Sequence, residues 1–295
     1  MSADQAILLL GGNGQVGWEL QRSLSVLAPI VTVTRAECDL ADEGAVRRLV
    51  RDVAPRAIVN AAAYTAVDAA ENDEAGAACL NATLPAILAD EAAGLDAWLL
   101  HYSTDYVFDG NKPGAYDESD TPDPQNVYGR TKLRGEHAAQ AWRRHLVLRT
   151  SWVFGAHGGN FLKTMLRLGR ERTELNVVDD QVGAPTSAAL IADVSAHMLA
   201  AVLNGRDAAG LYHLASSGHT SWCGYARFIM AEARRLGLDM RCTPESVHAI
   251  PGSAYPTPAR RPANSRLDTR LLSETFGLVM PSWQVQASRV LESLI

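Results

Sequence analysis

Tyr128 and Lys132 stand four residues apart in NVYGRTKLRGE, a spacing that brings both side chains to one face of a helix. A phenol ordinarily keeps its proton until about pH 10, too high for neutral-pH chemistry. A neighbouring ammonium, together with the positive charge of an oxidised nicotinamide, is expected to stabilise the phenolate and lower that value. Tyr128 could then give a proton to an alkoxide oxygen while a hydride arrives at the carbon. Alone, Tyr-x-x-x-Lys is common by chance on protein surfaces. A second group strengthens it: Ser103-Thr104-Asp105-Tyr106 follows an apolar run upstream. A hydroxyl at Thr104 could hydrogen-bond the substrate oxygen and orient it, although a Thr in that setting is also an ordinary cap.

Phosphate chemistry is suggested at the other end of the chain. Gly11, Gly14 and Gly17 follow the apolar run AILLL and lead into a helical pattern. One glycine permits a tight turn, another lets backbone approach a pyrophosphate, and the third allows close helix–strand packing. The helix start adds free N–H groups and partial positive charge. Position after a strand and before a helix is the setting a dinucleotide needs. Behind the second apolar run comes Thr34-Arg35, with no acid at that point. An acid there would bind the ribose 2′-OH, and an arginine suits a 2′-phosphate, so NADPH is favoured with NADH still open. Asp39-Leu40 could touch the adenine, or Asp39 could simply cap a helix.

These groups need elements to hold them. Strands are expected over Ala6–Leu10, Ile30–Thr34, Ala57–Ala61, Trp98–Ser103 and Leu146–Trp152, all nearly apolar, as strands covered on both faces must be. Helical patterns fill Gln15–Leu27, Glu43–Val53, Asn81–Gly94 and Val127–Arg143. The alternation predicts an α/β fold: a Rossmann-like doubly wound parallel sheet, with ligands at the carboxyl ends of its strands. Further along, strands are expected at Leu175–Val178 and Leu211–Ala215, with helices near Ser187–Leu203, Ser221–Leu236 and Trp283–Leu294. The stretch PGSAYPTPARRP cannot be regular helix and reads as an ordered, functional loop. Residues 1–150 with about 175–205 are therefore assigned to a dinucleotide-binding domain. About 151–174 and 206–295 are assigned to a smaller C-terminal substrate-binding lobe.

The bulk properties narrow the class. The 295 residues suffice for a real core, and 47% hydrophobic with 20% charged residues is ordinary for a globular chain. A net charge of -6 without a Lys/Arg run argues against a nucleic-acid partner. Cys38, Cys79, Cys223 and Cys242 form no CxxC pair and have no metal-ligand spacing, so reduced thiols are expected. The start MSADQAILLLGG lacks a basic leader and is too short to span a membrane. A cytoplasmic protein without a membrane partner is the expectation.

Together the motifs resemble the extended short-chain dehydrogenase/reductases, and within them the branch that reduces dTDP-linked 4-keto sugars. The resemblance covers essentially the whole chain. It rests on GGNGQVGWEL, VNAAAYTAVDAAE, HYSTDYVFDG, NVYGRTKLRGE, RTSWVFG, DDQVGAPTS, GLYHLASSG and YPTPARRPANSRLDT. It implies reduction of the C4 ketone of dTDP-4-dehydro-β-L-rhamnose by NADPH or NADH. It further implies that Gly11, Asn13, Gly14, Gln15, Val16 and Gly17 cradle the pyrophosphate, that Asp39 and Leu40 lie at the adenine, and that Ala63, Tyr64, Thr65 and Tyr102 contact the cofactor. Tyr128 would be the proton donor and Lys132 would hold it and the nicotinamide ribose. Thr104 and Asp105 would meet the sugar, with Trp152 packed near it and Arg260 beside the diphosphate, where an arginine fork suits the oxygens.

Two departures stand out. Tyr64 replaces the histidine of the family's AAAHT motif, and a tyrosine can still stack on a cofactor ring. Some members form Mg²⁺-bridged homodimers through clustered carboxylates. Glu19 and Asp193 lie in matching regions, but Ala189 stands where an acid would be expected, which weakens the metal bridge and leaves a homodimer open. Three other readings share the motifs, the first a reductase of another dTDP-4-keto-deoxy sugar. An epimerase or dehydratase would return the hydride to its substrate, and a dehydratase would need Asp-Glu after the strand-end Thr, where this chain has Asp105-Tyr106. A non-catalytic regulatory subunit of the methionine adenosyltransferase type would have no use for Tyr128, Lys132 and Thr104 together.

Overall fold

The computed structural model describes residues 6–295. Met1–Gln5, where a leader was sought, lie outside the described residues. The first half alternates strand and helix: β1 (Ile7–Leu10), α1 (Gln15–Leu24), β2 (Ile30–Thr32), α2 (Glu43–Val53), β3 (Ala57–Asn60), α3 (Val67–Ala70), α4 (Glu74–Ala78), a π-helical turn (Cys79–Thr83) and α5 (Leu84–Leu95). Then come β4 (Trp98–Thr104), α6 (Val127–Gln140) and β5 (His145–Thr150). The second half holds β6 (Val153–Phe154), α7 (Phe161–Glu171), β7 (Leu175–Val178), β8 (Val182–Gly183), β9 (Thr186–Ser187), α8 (Ala188–Leu203) and β10 (Gly210–His213). It closes with β11 (Thr220–Ser221), α9 (Trp222–Arg235), β12 (Val247–Ile250), β13 (Asn264–Ser265), α10 (Arg270–Phe276) and α11 (Trp283–Glu292).

Six strands form the central sheet in the order β10-β5-β4-β3-β1-β2, every neighbouring pair parallel. Period-two alternation splits each strand between two faces. Ile7 and Leu9 of β1 pack with Leu20 and Leu24 of α1 and Ile191 and Leu199 of α8. Leu8 and Leu10 turn the other way, onto the cluster of Val46 and Val50 from α2 and Leu88 from α5. Each such side chain contributes about 1.5–3 kcal/mol relative to leaving it exposed. The doubly wound α/β fold is as expected.

The pairing redraws the expected division of the chain. Leu175–Val178, assigned to the dinucleotide-binding domain, pairs instead with β12 in a two-stranded sheet. Leu175 and Val177 bury into a second core, with Met165 of α7, Ile229 of α9 and Leu291 of α11. Conversely, the Leu211 strand, assigned to the lobe, is the sixth strand of the main sheet, and Leu272 and Phe276 of α10 pack on its side of the core. The cause is apolar demand: β5 would otherwise be a bare edge beside the buried α8.

Element ends also shift. β5 stops at Thr150 because Trp152 takes a left-handed backbone, φ +49°, which no strand can continue. Asp39 does not cap α2. Asp42 does, accepting from Ala45 N, while Asp39 closes the preceding turn on Ala41 N. No helix among the described residues is long and apolar enough to cross a membrane.

Candidate active site

The strand order reverses between β1 and β3, and a crevice forms beyond their carboxyl ends. Gly11 opens it with φ +79°, and a Cβ there would sit 2.5 Å from Ala62 N on the neighbouring loop. At Gly17 a Cβ would come within 2.0 Å of the Gly11 carbonyl oxygen, so α1 rides directly on the turn. Gly14 is the N-cap of α1 and offers no side-chain acceptor, which leaves the first helical N–H groups free for an anion. These are the features a dinucleotide pyrophosphate requires. Asn13 and Gly14 are exposed, Gln15 and Val16 half-buried.

A segment the sequence did not flag closes over this turn. His157 contacts the Asn13 carbonyl at 3.0 Å and stacks on Trp18 at 4.5 Å, and Asn160 donates to Gln15 Oε1 at 2.9 Å. The β2 end also differs from its reading as acid-free. The Glu37 carboxylate folds back to accept both the Thr34 N–H (2.7 Å) and hydroxyl (2.8 Å), which lowers its pKa. Arg35 is 89% exposed and only loosely paired with Asp39 at 3.9 Å, so its guanidinium is available at this lip. Leu40 packs against the core under α2.

Ala63, Tyr64 and Thr65 lie on the loop after β3. Asn81 holds that loop: its side chain accepts from Tyr64 N and donates to the Tyr64 carbonyl and to Thr131 Oγ1 of α6. Asn81 is fully buried in the π-helical turn, a distortion often found at functional sites. Its type alone carried no signal in the sequence. Tyr102 behaves differently from the other expected cofactor contacts. Its phenol turns to the α8 side of the sheet and donates to Ser195 Oγ at 2.7 Å, while its carbonyl accepts from Lys132 Nζ at 2.5 Å.

The residues expected to transfer the proton lie around the end of β4. Asn126 caps α6 by accepting from Gly129 N at 2.8 Å. A Cβ on Gly129 would lie 2.2 Å from the Tyr106 carbonyl oxygen, so only glycine lets α6 approach the turn after β4. Tyr128 is thereby set edge-on to Tyr106, with ring centroids 5.6 Å apart, and its hydroxyl comes within the influence of the Thr104 hydroxyl. Burial pushes the Tyr128 phenol up to about 12, and the Asp105 carboxylate adds to the rise. The expected lowering by Lys132 is absent because the ammonium is turned to the Tyr102 carbonyl. Lys132 is itself pushed down to about 8 by burial, against the pull of Glu136. Asp105 is buried beside Thr104, whose hydroxyl it accepts at 3.2 Å, and burial raises it to about 7.

Beneath this group, Glu136 and Arg149 form a buried ion pair at 2.7 Å, and Ser103 donates to the same carboxylate. The pair fixes α6 against β5 through charge-assisted bonds.

The Pro-rich loop is ordered and crosses the top of the sheet. Arg261 makes a two-pronged pair with Asp68 of α3 (2.8 and 3.1 Å), Asp68 also accepts from Ala259 N, and Asn126 donates to the Arg260 carbonyl. Of the two arginines, Arg260 stays exposed, within 3.4 Å of Gln125 Oε1. Trp152 stacks on Trp222 at 3.5 Å and presses on Gly183, where sheet and lobe meet. Glu19 and Asp193 are both engaged by Arg22, at 3.4 and 2.8 Å, which ill suits a bridging Mg²⁺. No cluster of three or more His, Cys, Asp or Glu fit to hold a metal occurs among the described residues. A cavity of about 840 Å³ lined by Pro55, Asp96 and Arg206 opens at the amino ends of the strands, away from all these groups.

The sequence pattern of the RmlD substrate binding domain matches residues 5–295. A dTDP-4-dehydrorhamnose reductase of Escherichia coli is 49% identical over 293 residues, covering 98% of this chain and 97% of its own. One of Burkholderia thailandensis is 47% identical over 294 residues, covering 98% and 99%. Among solved structures, a dTDP-4-dehydrorhamnose reductase of Bacillus anthracis in complex with NADP superposes with a TM-score of 0.89 at 32% identity, covering 98% of this chain and 99% of that one.

Proposed function

The chain belongs to the RmlD substrate binding domain family, and from that premise we propose that it reduces the C4 ketone of dTDP-4-dehydro-β-L-rhamnose to dTDP-β-L-rhamnose. It is an NAD(P)H-dependent oxidoreductase on this reading, with NADPH the preferred donor. The observation that carries it is that Tyr106, whose N–H is accepted by Thr104, packs edge-on against Tyr128, so that both hydroxyl residues stand at the turn after β4.

The reduced nicotinamide supplies the hydride when bound. Gly11, Asn13, Gly14, Gln15, Val16 and Gly17 would hold its pyrophosphate and Arg35, Asp39 and Leu40 its adenosine end. Ala63, Tyr64, Thr65 and the Tyr102 carbonyl would line the remainder. Arg35 supports NADPH because its exposed fork can meet a 2′-phosphate. Thr104 and Asp105 would contact the sugar, Trp152 would pack against it, and Arg260 would reach the diphosphate. As negative charge develops on the ketone oxygen, Tyr128 gives up its phenol proton to it. A pKa near 12 keeps that phenol fully protonated at neutral pH, yet it remains a stronger acid than the secondary alcohol it forms. Lys132, whose ammonium is held by the Tyr102 carbonyl, would hold the nicotinamide ribose with its remaining N–H donors. The four thiols are free, as a reducing cytoplasm would keep them.

The assay is direct. Purified protein, the dTDP-keto sugar and either reduced cofactor should show loss of the reduced-nicotinamide absorbance, faster with NADPH, and NMR should show the new C4 alcohol. Absence of cofactor consumption with both donors would end the reading.

A further inference from the structure

Asp105 is 3% exposed on the turn directly after β4. Its Oδ1 accepts from the Thr104 hydroxyl, and its Oδ2 meets no hydrogen-bond partner. A hydroxyl has one proton to give and two lone pairs to accept with. The Thr104 oxygen already receives the Tyr106 N–H at 3.2 Å. Its single proton goes to Asp105 Oδ1, and it is the same proton that a substrate oxygen at this turn would need. A charged carboxylate wins that contest, since charge-assisted hydrogen bonds are about twice as strong as neutral ones.

Resting on the reading of this site as a ketone-reducing centre, we propose that Asp105 is a positioning residue that acts through Thr104. In its acid form the carboxyl O–H donates to the Thr104 oxygen, and Thr104 turns its own O–H towards the substrate oxygen. In its carboxylate form Asp105 takes that O–H away, and the oxyanion loses a donor. The turnover-competent state is the neutral acid.

The surroundings favour that form. Burial, the largest influence on the carboxyl, outweighs the backbone and Thr104, which favour the charge. The titratable and charged groups packed about the turn are Tyr106 beside it, Tyr128 and Lys132 on α6, Asp68 on α3 and Arg261 on the loop. Arg261 is held by Asp68 and Lys132 by the Tyr102 carbonyl, and no ion pair joins a cation to Asp105 among the described residues.

The test compares wild type with Asp105→Asn, whose amide N–H can donate to Thr104 at every pH. Wild-type kcat should fall about ten- to twentyfold between pH 6 and pH 8, the tenfold belonging to a single controlling group at about 7. The variant, whatever its plateau, should change by less than about threefold over that range, the remainder belonging to Lys132. Melting temperature gives a second readout. A carboxyl raised in the folded state binds its proton more tightly there than in the unfolded chain, so wild-type stability relative to the variant declines from about pH 4 to about pH 7 and is then level. The melting temperature of the variant minus that of wild type should be larger at pH 8 than at pH 5. An active wild type whose slope the variant retains, or equal melting gaps at both pH values, overturns this proposal alone. A wild type that consumes no cofactor at any pH overturns the reductase reading, and this one with it.

Discussion

At the scale of single residues, type and spacing carried the chemistry, while environment decided its sign. That Tyr128 and Lys132 share one face of α6 was legible because an i, i+4 spacing is a property of the chain itself. The direction of the phenol's shift was not, since it depends on how much water the fold removes and on where the ammonium points. Burial raises Tyr128, and the Tyr102 carbonyl draws Lys132 aside. Asn81 and Glu37 were illegible for a related reason: polar residues of common types become informative only when their partners, distant in sequence or across a turn, are seen. The raised phenol sharpens a prediction. A group fully protonated at pH 7 serves reduction and hinders the reverse oxidation, which must begin from phenolate. Tyr128→Phe should therefore lower kcat by about 10²- to 10⁴-fold, the worth of a positioned general acid. The dissociation constant for NADPH, read by fluorescence titration, should stay within about twofold, because the ring still packs and no cofactor anchor is removed. Wild-type turnover in that variant would mean the acid lies elsewhere.

At the scale of elements, glycines and caps explain why these pieces sit where they do. α6 approaches the turn after β4 because Gly129 has no side chain, and it starts where Asn126 caps it. Both signals stand in NVYG, so the start of α6 at Val127 was readable. Its end was not, because the last turn fades into a bend without a glycine stop. The Pro-rich loop shows the opposite balance. Prolines announce that it is no helix, but the contact that orders it, Arg261 on Asp68, joins residues far apart in the chain and leaves no local mark. That contact prearranges the loop that carries Arg260. In Arg261→Ala the loop would have to be ordered by the substrate, at about 0.5–1.5 kcal/mol for each side chain immobilised. KM for the dTDP-keto sugar should then rise on the order of tenfold while kcat stays within about threefold, and the melting temperature should barely move, since a partly exposed pair contributes little. Initial-rate kinetics decide it: a loss confined to kcat would show that the loop acts on the chemical step rather than on binding.

At the scale of the whole molecule, the sheet and the lobe are woven rather than joined end to end. The chain leaves the sheet after β5, builds β6 to β9 and α7, returns as α8 and β10, leaves again for α9 and β12, and comes back through the Pro-rich loop and α10. Strand–helix alternation revealed the doubly wound sheet, but it could not reveal which late strand closes it. Leu175–Val178 and Gly210–His213 are both short apolar runs, and only the partners available to each, β12 for one and β5 for the other, separate them. The consequence is energetic. One face of the main core is built from Ile191, Met198 and Leu199 of α8 with Tyr212 of β10 and Phe276 of α10, so residues 1–150 cannot cover their own sheet. Leucine-sized side chains left bare at about 1.5–3 kcal/mol each exceed the 5–15 kcal/mol by which a whole domain is stable. A fragment ending at Thr150 should therefore bind a hydrophobic dye and melt without a cooperative transition. The full chain should unfold in a single step, with sheet and lobe going together. Calorimetry distinguishes the cases: two separate transitions in the full chain, or a sharp one in the fragment, would show that the halves hold themselves up.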